Sequence, residues 1–92
     1  MNKTAEAKTE HFVYILECAD GTLYVGYTNN IERRLIQHNS SKQGAHYTKT
    51  RRPVKLRYSE LFSTRGAALS RESEIKKWSR KKKLQLISSG ML

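Results

Sequence analysis

The spacing of apolar residues along the chain switches between a period of two and a period near 3.6. Residues 12–16 (FVYIL) are β-branched and aromatic and predict a strand. Asp20-Gly21 marks a tight turn, and residues 23–28 (LYVGYT) read as the returning strand. Asn29-Asn30-Ile31-Glu32 reads as a helix start, with Asn29 as cap and Glu32 three residues on, as in a capping box. That helix runs to about Asn39. Residues 39–52 (NSSKQGAHYTKTRR) are polar, turn-rich and basic, and predict a loop long enough to be functional. After Pro53, residues 54–62 (VKLRYSELF) alternate with period two and predict a third strand. Ser63-Thr64 can cap a second helix through about Trp78. Ser79 can restart a third over 80–87, with Gly90 past its end. The expectation is an α+β domain of order β-β-α-β-α-α, a small three-stranded, mainly antiparallel sheet flanked by helices.

The helical periods sort the polar residues. At about 100° per residue, Ala68, Leu69 and Ile75 span one apolar arc. Glu72 falls inside that arc and Glu74 outside it. A carboxylate on a core-facing stripe needs a partner. A metal ion or cation in a cleft meets that need; so does an ordinary i, i+4 pair with Lys76. On the first helix, Ile31 and Leu35 define the buried side, with Ile36 on one flank and Arg34 and His38 at i, i+4 on the other. Those two can hold a phosphate and handle a proton, or form a solvated basic face with a half-buried His. Arg33 projects away.

The hairpin has two possible registers. A two-residue turn sends Tyr14 and Tyr24 to opposite faces. A three-residue turn, Ala19-Asp20-Gly21, puts them on one face with Gly26 opposite Tyr14. A left-handed Gly21 favours the second, and Gly26 would then leave space beside the phenol. Strand tyrosines are also ordinary packing residues.

Charge adds a partner class. Among 92 residues, 18 Lys and Arg against eight Asp and Glu give +10, and the pI is near 10.1. Such a surface attracts polyanions, above all nucleic acid. The basic segment His46-Tyr47-Thr48-Lys49, followed by Arg51 and Arg52, interleaves cations with an aromatic ring, as phosphate contact plus base stacking requires. A solvated loop has the same composition. Arg80 to Lys83 are four cations at a helix start, where they oppose the helix dipole. A bound polyanion or a frayed turn accounts for them. The single Cys18 excludes an internal disulfide and a CxxC metal site. Residues 1–10 are polar and read as a disordered lead-in to a single domain over 11–92. No secretory signal or membrane-spanning run is read. The expected compartment is the cytoplasm.

Val13-Tyr14-Ile15, Tyr24-Val25-Gly26, Arg34-x-x-x-His38 and Ala68-Leu69-Ser70-Arg71-Glu72 stand in that order and at fitting spacing. Together they resemble the GIY-YIG nuclease superfamily, which includes the amino-terminal domain of the UvrC repair nuclease, and most of all its short stand-alone bacterial members. The resemblance covers about residues 11–87. It implies that Tyr14 and Tyr24 line an active site, one helping to activate the attacking water. It implies that Arg34 holds the scissile phosphate, that His38 takes part in proton transfer, and that Glu72 binds one divalent metal ion, Mg²⁺ or Mn²⁺. Tyr27, His46, Tyr47, Lys49, Arg51 and Arg52 are the expected nucleic-acid contacts. Phe12 replaces the signature glycine, Tyr27 stands where many relatives carry Lys, and the supporting Asn near the domain's end has no counterpart. The implied activity is metal-dependent endonucleolytic cleavage of DNA, preferred over RNA, directed by structure rather than sequence. The alternatives are a nucleic-acid-binding module with an idle site and, third, a protein-interaction domain around Trp78. A protein partner or a dimer stays open.

Overall fold

The computed structural model describes residues 10–40 and 45–90. The lead-in expected over 1–10 lies outside them except for Glu10, as do residues 41–44 of the expected loop. Strands β1 (His11–Glu17), β2 (Leu23–Thr28) and β3 (Lys55–Phe62) form one sheet in the order β2-β1-β3, antiparallel throughout. The helices are α1 (Ile31–Ser40), α2 (His46–Lys49), α3 (Arg65–Lys76) and α4 (Arg80–Ser89). The architecture is α+β as expected, with the one-turn helix α2 added inside the basic segment.

The hairpin takes the three-residue turn. The Cys18 N–H donates to Thr22 O at 2.8 Å, Gly21 has φ +86°, and Tyr14 pairs with Gly26. Only glycine adopts that φ without strain. Gly26 meets a different demand: a Cβ there would lie 2.5 Å from Tyr14 Cζ and overlap its hydroxyl.

Strand alternation divides the core in two. Val13, Ile15 and Val25 face Ala68, Ile75 and Ile87 of α3 and α4. Tyr14, Leu16, Cys18 and Val54 face α1 through Ile31 and Leu35. A bulge beside Ile15 and Leu16 skips Arg57 in the pairing of β1 with β3, so the period-two pattern of β3 slips by one residue there.

The helix starts follow capping chemistry, with one correction. Thr64 accepts from Ala67 N at 3.2 Å and Ser79 from Lys82 N at 3.2 Å, as N-caps do. The α1 cap is Asn30, not Asn29: Asn30 Oδ1 accepts from Arg33 N at 3.0 Å. Thr28 causes the shift, because its hydroxyl bonds both the N–H and the C=O of Asn30 and fixes that residue at the helix mouth. Asn29 instead accepts from the Arg33 guanidinium. Gly90 follows α4 with φ −88°, so that end needs no left-handed residue. No helix among the described residues is long and apolar enough to cross a membrane.

Candidate active site

Tyr14 and Tyr24 project from adjacent strands onto the face covered by α1, with ring centroids 6.5 Å apart. His38 comes down from the last turns of α1 between them. It is fully buried, and its ring meets both tyrosines edge-on, at 5.8 and 5.2 Å. Its Nε2 lies 2.8 Å from Tyr14 Oη, and its Nδ1 lies 2.8 Å from Thr48 Oγ1 on α2.

Arg34, one turn before His38, donates to Gln37 Oε1 at 3.0 Å, and its guanidinium acts on the Tyr14 phenol. The i, i+4 placement read from the sequence thus brings the influence of a guanidinium and the contact of an imidazole to one phenol. Burial pushes the Tyr14 phenol up to about 12, and the charges of Tyr24 and Glu72 add to the rise while Arg34 opposes it. Burial also drives His38 down to about 4, helped by Arg34 and Arg52. At neutral pH the pair is a neutral phenol beside a neutral imidazole.

Glu72 lies on α3, on the other side of the sheet, yet its charge acts on the Tyr14 phenol. Its Oε2 pairs with Lys76 Nζ at 3.1 Å, so the i, i+4 partner is present. Glu74 points to the exposed side, as the helical wheel requires, and its Oε1 accepts from Arg71 at 3.1 Å. Among the described residues no three His, Cys, Asp or Glu side chains converge. A cation at Glu72 would thus rest on one carboxylate with water and substrate oxygens filling its shell. Mg²⁺ accepts that arrangement readily.

The basic segment divides. Tyr47 stacks on Tyr24 at 5.8 Å and 28°, and the Arg51 guanidinium lies 4.0 Å over the Tyr47 ring. Arg51 also pairs with Asp20 at 3.2 Å. His46 and Lys49 are exposed on α2. Arg52 turns inward, donating to the carbonyls of His38 and of Gln37 at the C-terminal end of α1. There a cation complements the helix dipole. Tyr27 lies on the opposite sheet face from Tyr14 and Tyr24. It packs on the Val13 core, holds His11 Nδ1 at 2.8 Å and carries Arg65 at 5.9 Å from its ring.

Thr48 is the site residue that sequence reasoning passed over. It is fully buried, and its hydroxyl lies 2.9 Å from Ala45 O as well as 2.8 Å from His38. A threonine within a polar basic run carries no burial signal. Only the single turn of α2, which places Thr48 inward and its neighbours outward, reveals it.

Residues 10–85 match the GIY-YIG catalytic domain. The chain is 58% identical over 81 residues to a UPF0213 protein of Staphylococcus saprophyticus, covering 88% of this chain and 98% of that one. It is 55% identical over 80 residues to a UPF0213 protein of Haloquadratum walsbyi, covering 87% and 89%. Two solution NMR structures are similar. A protein of E. faecalis aligns with a TM-score of 0.61 at 43% identity, covering 91% of this chain and 88% of that one. A UPF0213 protein of Bacillus halodurans aligns with a TM-score of 0.56 at 46% identity, covering 86% and 83%.

Proposed function

The chain belongs to the GIY-YIG catalytic domain family, a family of nucleases, and from that footing we propose that it is a metal-dependent endonuclease hydrolysing phosphodiester bonds in cytoplasmic DNA, directed by structure. The observation that carries the reading is the buried Tyr14–His38 hydrogen bond, with the Arg34 charge acting on the same phenol. Ordinary core tyrosines do not need a fully buried imidazole and a guanidinium together. DNA is preferred over RNA because of the resemblance to the UvrC nuclease domain.

The chemistry divides among this chain's own groups. Arg34 supplies a fixed cationic fork for the scissile phosphate. Tyr14 Oη is the atom that takes the proton of the attacking water, and it passes its own proton to His38 Nε2. The roles need a substrate to become active: with the phenol near 12 and the imidazole near 4, transfer between them costs on the order of 10 kcal/mol in the resting protein. The phosphate and the charge around Glu72 must close that gap. A divalent ion on Glu72 would supply Lewis-acid stabilisation of the phosphate and offset the carboxylate's upward push on the phenol. Tyr24 shields the pair and stacks with Tyr47 at the cleft edge. His46, Lys49 and Arg51 are the neighbouring contacts for phosphate. Arg52 supports the end of α1 in place of touching substrate.

The Lys76–Glu72 pair favours a second reading, binding without cleavage, since it already satisfies the carboxylate. One experiment separates the two. Labelled single-strand, duplex, flap, fork and four-way-junction DNA, with matching RNA, are incubated with Mg²⁺, Mn²⁺ or EDTA. Wild type is expected to cut at least one DNA structure with metal only, and Glu72→Gln to bind it without cutting. Binding without cutting by wild type as well would establish the second reading.

A further inference from the structure

The hydroxyl of Thr48 has one proton and two acceptors within reach, Ala45 O at 2.9 Å and His38 Nδ1 at 2.8 Å. Its proton goes to Ala45 O, which can only accept, so the hydroxyl oxygen is left to accept from His38 Nδ1–H. The other end of the cluster agrees, because Tyr14 needs an acceptor for its proton and Arg34 can only donate. Were His38 to donate from Nε2, the Tyr14 proton would face no acceptor among these partners. That is costly. If Tyr14 donates to Nε2, every proton has an acceptor. Tyr14 donates to His38 Nε2, His38 Nδ1–H to Thr48 Oγ1, and Thr48 to Ala45 O. The chain runs in one direction only.

We propose that Thr48 is a positioning residue that holds His38 as the Nδ1–H tautomer, leaving the Nε2 lone pair to receive the Tyr14 proton. α2 is the device that carries it. The segment is tied down on both flanks of Thr48. Tyr47 stacks on Tyr24, and Arg51 pairs with Asp20 while its carbonyl accepts from Ala19 N at 2.9 Å. A histidine free to exchange tautomers would spend part of its time with Nε2 already protonated and unable to take the Tyr14 proton. The consequence for cleavage rests on the nuclease reading above; the tautomer is a property of the protein alone.

The test is a long-range proton–nitrogen NMR correlation of the whole chain at neutral pH. It distinguishes a protonated ring nitrogen from a bare one. Wild type and Thr48→Ser are expected to show His38 protonated at Nδ1 and bare at Nε2. In Thr48→Val the hydroxyl is gone, and the proton is expected to move to Nε2 or divide between the nitrogens. Unchanged His11 and His46 signals would show that the fold is kept, and Thr48→Ala gives the same readout should the valine variant not fold. A wild type protonated at Nε2, or a folded valine or alanine variant that keeps the wild-type tautomer, overturns the inference. Where cleavage is present, kcat of Thr48→Val is expected to fall about 10²-fold with KM kept, and Thr48→Ser to retain it. A wild type with the Nδ1–H tautomer that cuts nothing supports this inference while removing the nuclease reading. One that cuts while protonated at Nε2 does the reverse.

Discussion

His38 shows how one buried side chain links the site to stability. Burial first, and the guanidinium charges of Arg34 and Arg52 after it, hold its pKa at about 4 against an ordinary 6.5. Between those values the unfolded chain takes up a proton that the native protein refuses. Stability therefore falls as pH drops from about 6.5 to about 4, and His38 contributes no such slope above 6.5. The full difference is about 3 kcal/mol. Asp20 and Glu60, held below the ordinary carboxylate range, add their own losses at lower pH. The contribution of His38 is thus read as a difference: urea midpoints of wild type should fall between pH 7 and 4.5 by clearly more than those of His38→Gln. Parallel curves for the two proteins would show that His38 is not buried in neutral form. At this scale the spacing on strand and helix carried the direction of Tyr14, Arg34 and His38, which meet on one face of the sheet, and of Glu72, which lies across it beside Lys76. The sequence did not disclose Thr48 or the inward turn of Arg52, because both depend on contacts across a segment whose local pattern is merely polar. Tyr27 was an expected nucleic-acid contact, standing where many relatives carry Lys. Its position one residue from Gly26 sends it to the other face of the sheet.

Elements are joined by a clasp that lies away from the site. Arg71 on α3 grips Glu60 on β3 with two hydrogen bonds, at 2.9 and 3.0 Å, and lies 5.1 Å from the Trp78 ring. Tyr58 donates to the same carboxylate, and Lys82 of α4 sits 4.2 Å over the other aromatic partner, Trp78. Burial and the Glu60 carboxylate raise the Tyr58 phenol to about 12. Two-pronged arginine–carboxylate contact is the strong form of this bond, and removing one partner leaves a part-buried charge behind. Arg71→Gln should cost about 2 kcal/mol in denaturant unfolding. The exposed pair Arg57–Glu17, at 3.3 Å, is the contrast: Arg57→Gln should cost no more than about 0.5 kcal/mol. Equal losses would mean that the clasp is an ordinary surface contact. Element starts were legible where a hydroxyl precedes the helix, as at Thr64 and Ser79. The α1 start slipped by one because Asn29 and Asn30 are equally good caps, and only the Thr28 hydroxyl, bonded across the turn, chooses between them. α2 was hidden because four residues give a helical period no room to show.

For the whole molecule, the decisive quantity is where the +10 charge lies. The tip of the β1–β2 hairpin joins two basic regions. Asp20 pairs with Arg51 on the α2 side, and the Gly21 carbonyl accepts from Arg80 of α4 at 2.7 Å. His46 and Lys49 on one side, and Arg80, Lys81 and Lys82 on the other, are exposed. On the proposed function, a nucleic-acid backbone crossing the tip would meet both, and would account for cations placed at an unfavourable helix start. Each phosphate contact adds about 0.9 to the slope of log affinity against log salt on duplex DNA. Replacing Arg80, Lys81 and Lys82 together by Gln should therefore flatten the measured slope by about 2 to 3. Glu72→Gln should leave the slope near that of wild type, because it removes no cation. An unchanged slope in the triple variant would assign those cations to solvent and confine binding to the α2 side. Absence of binding to DNA and RNA at low salt would remove the nucleic-acid reading altogether, since no arrangement of a +10 surface that serves a polyanion survives that result.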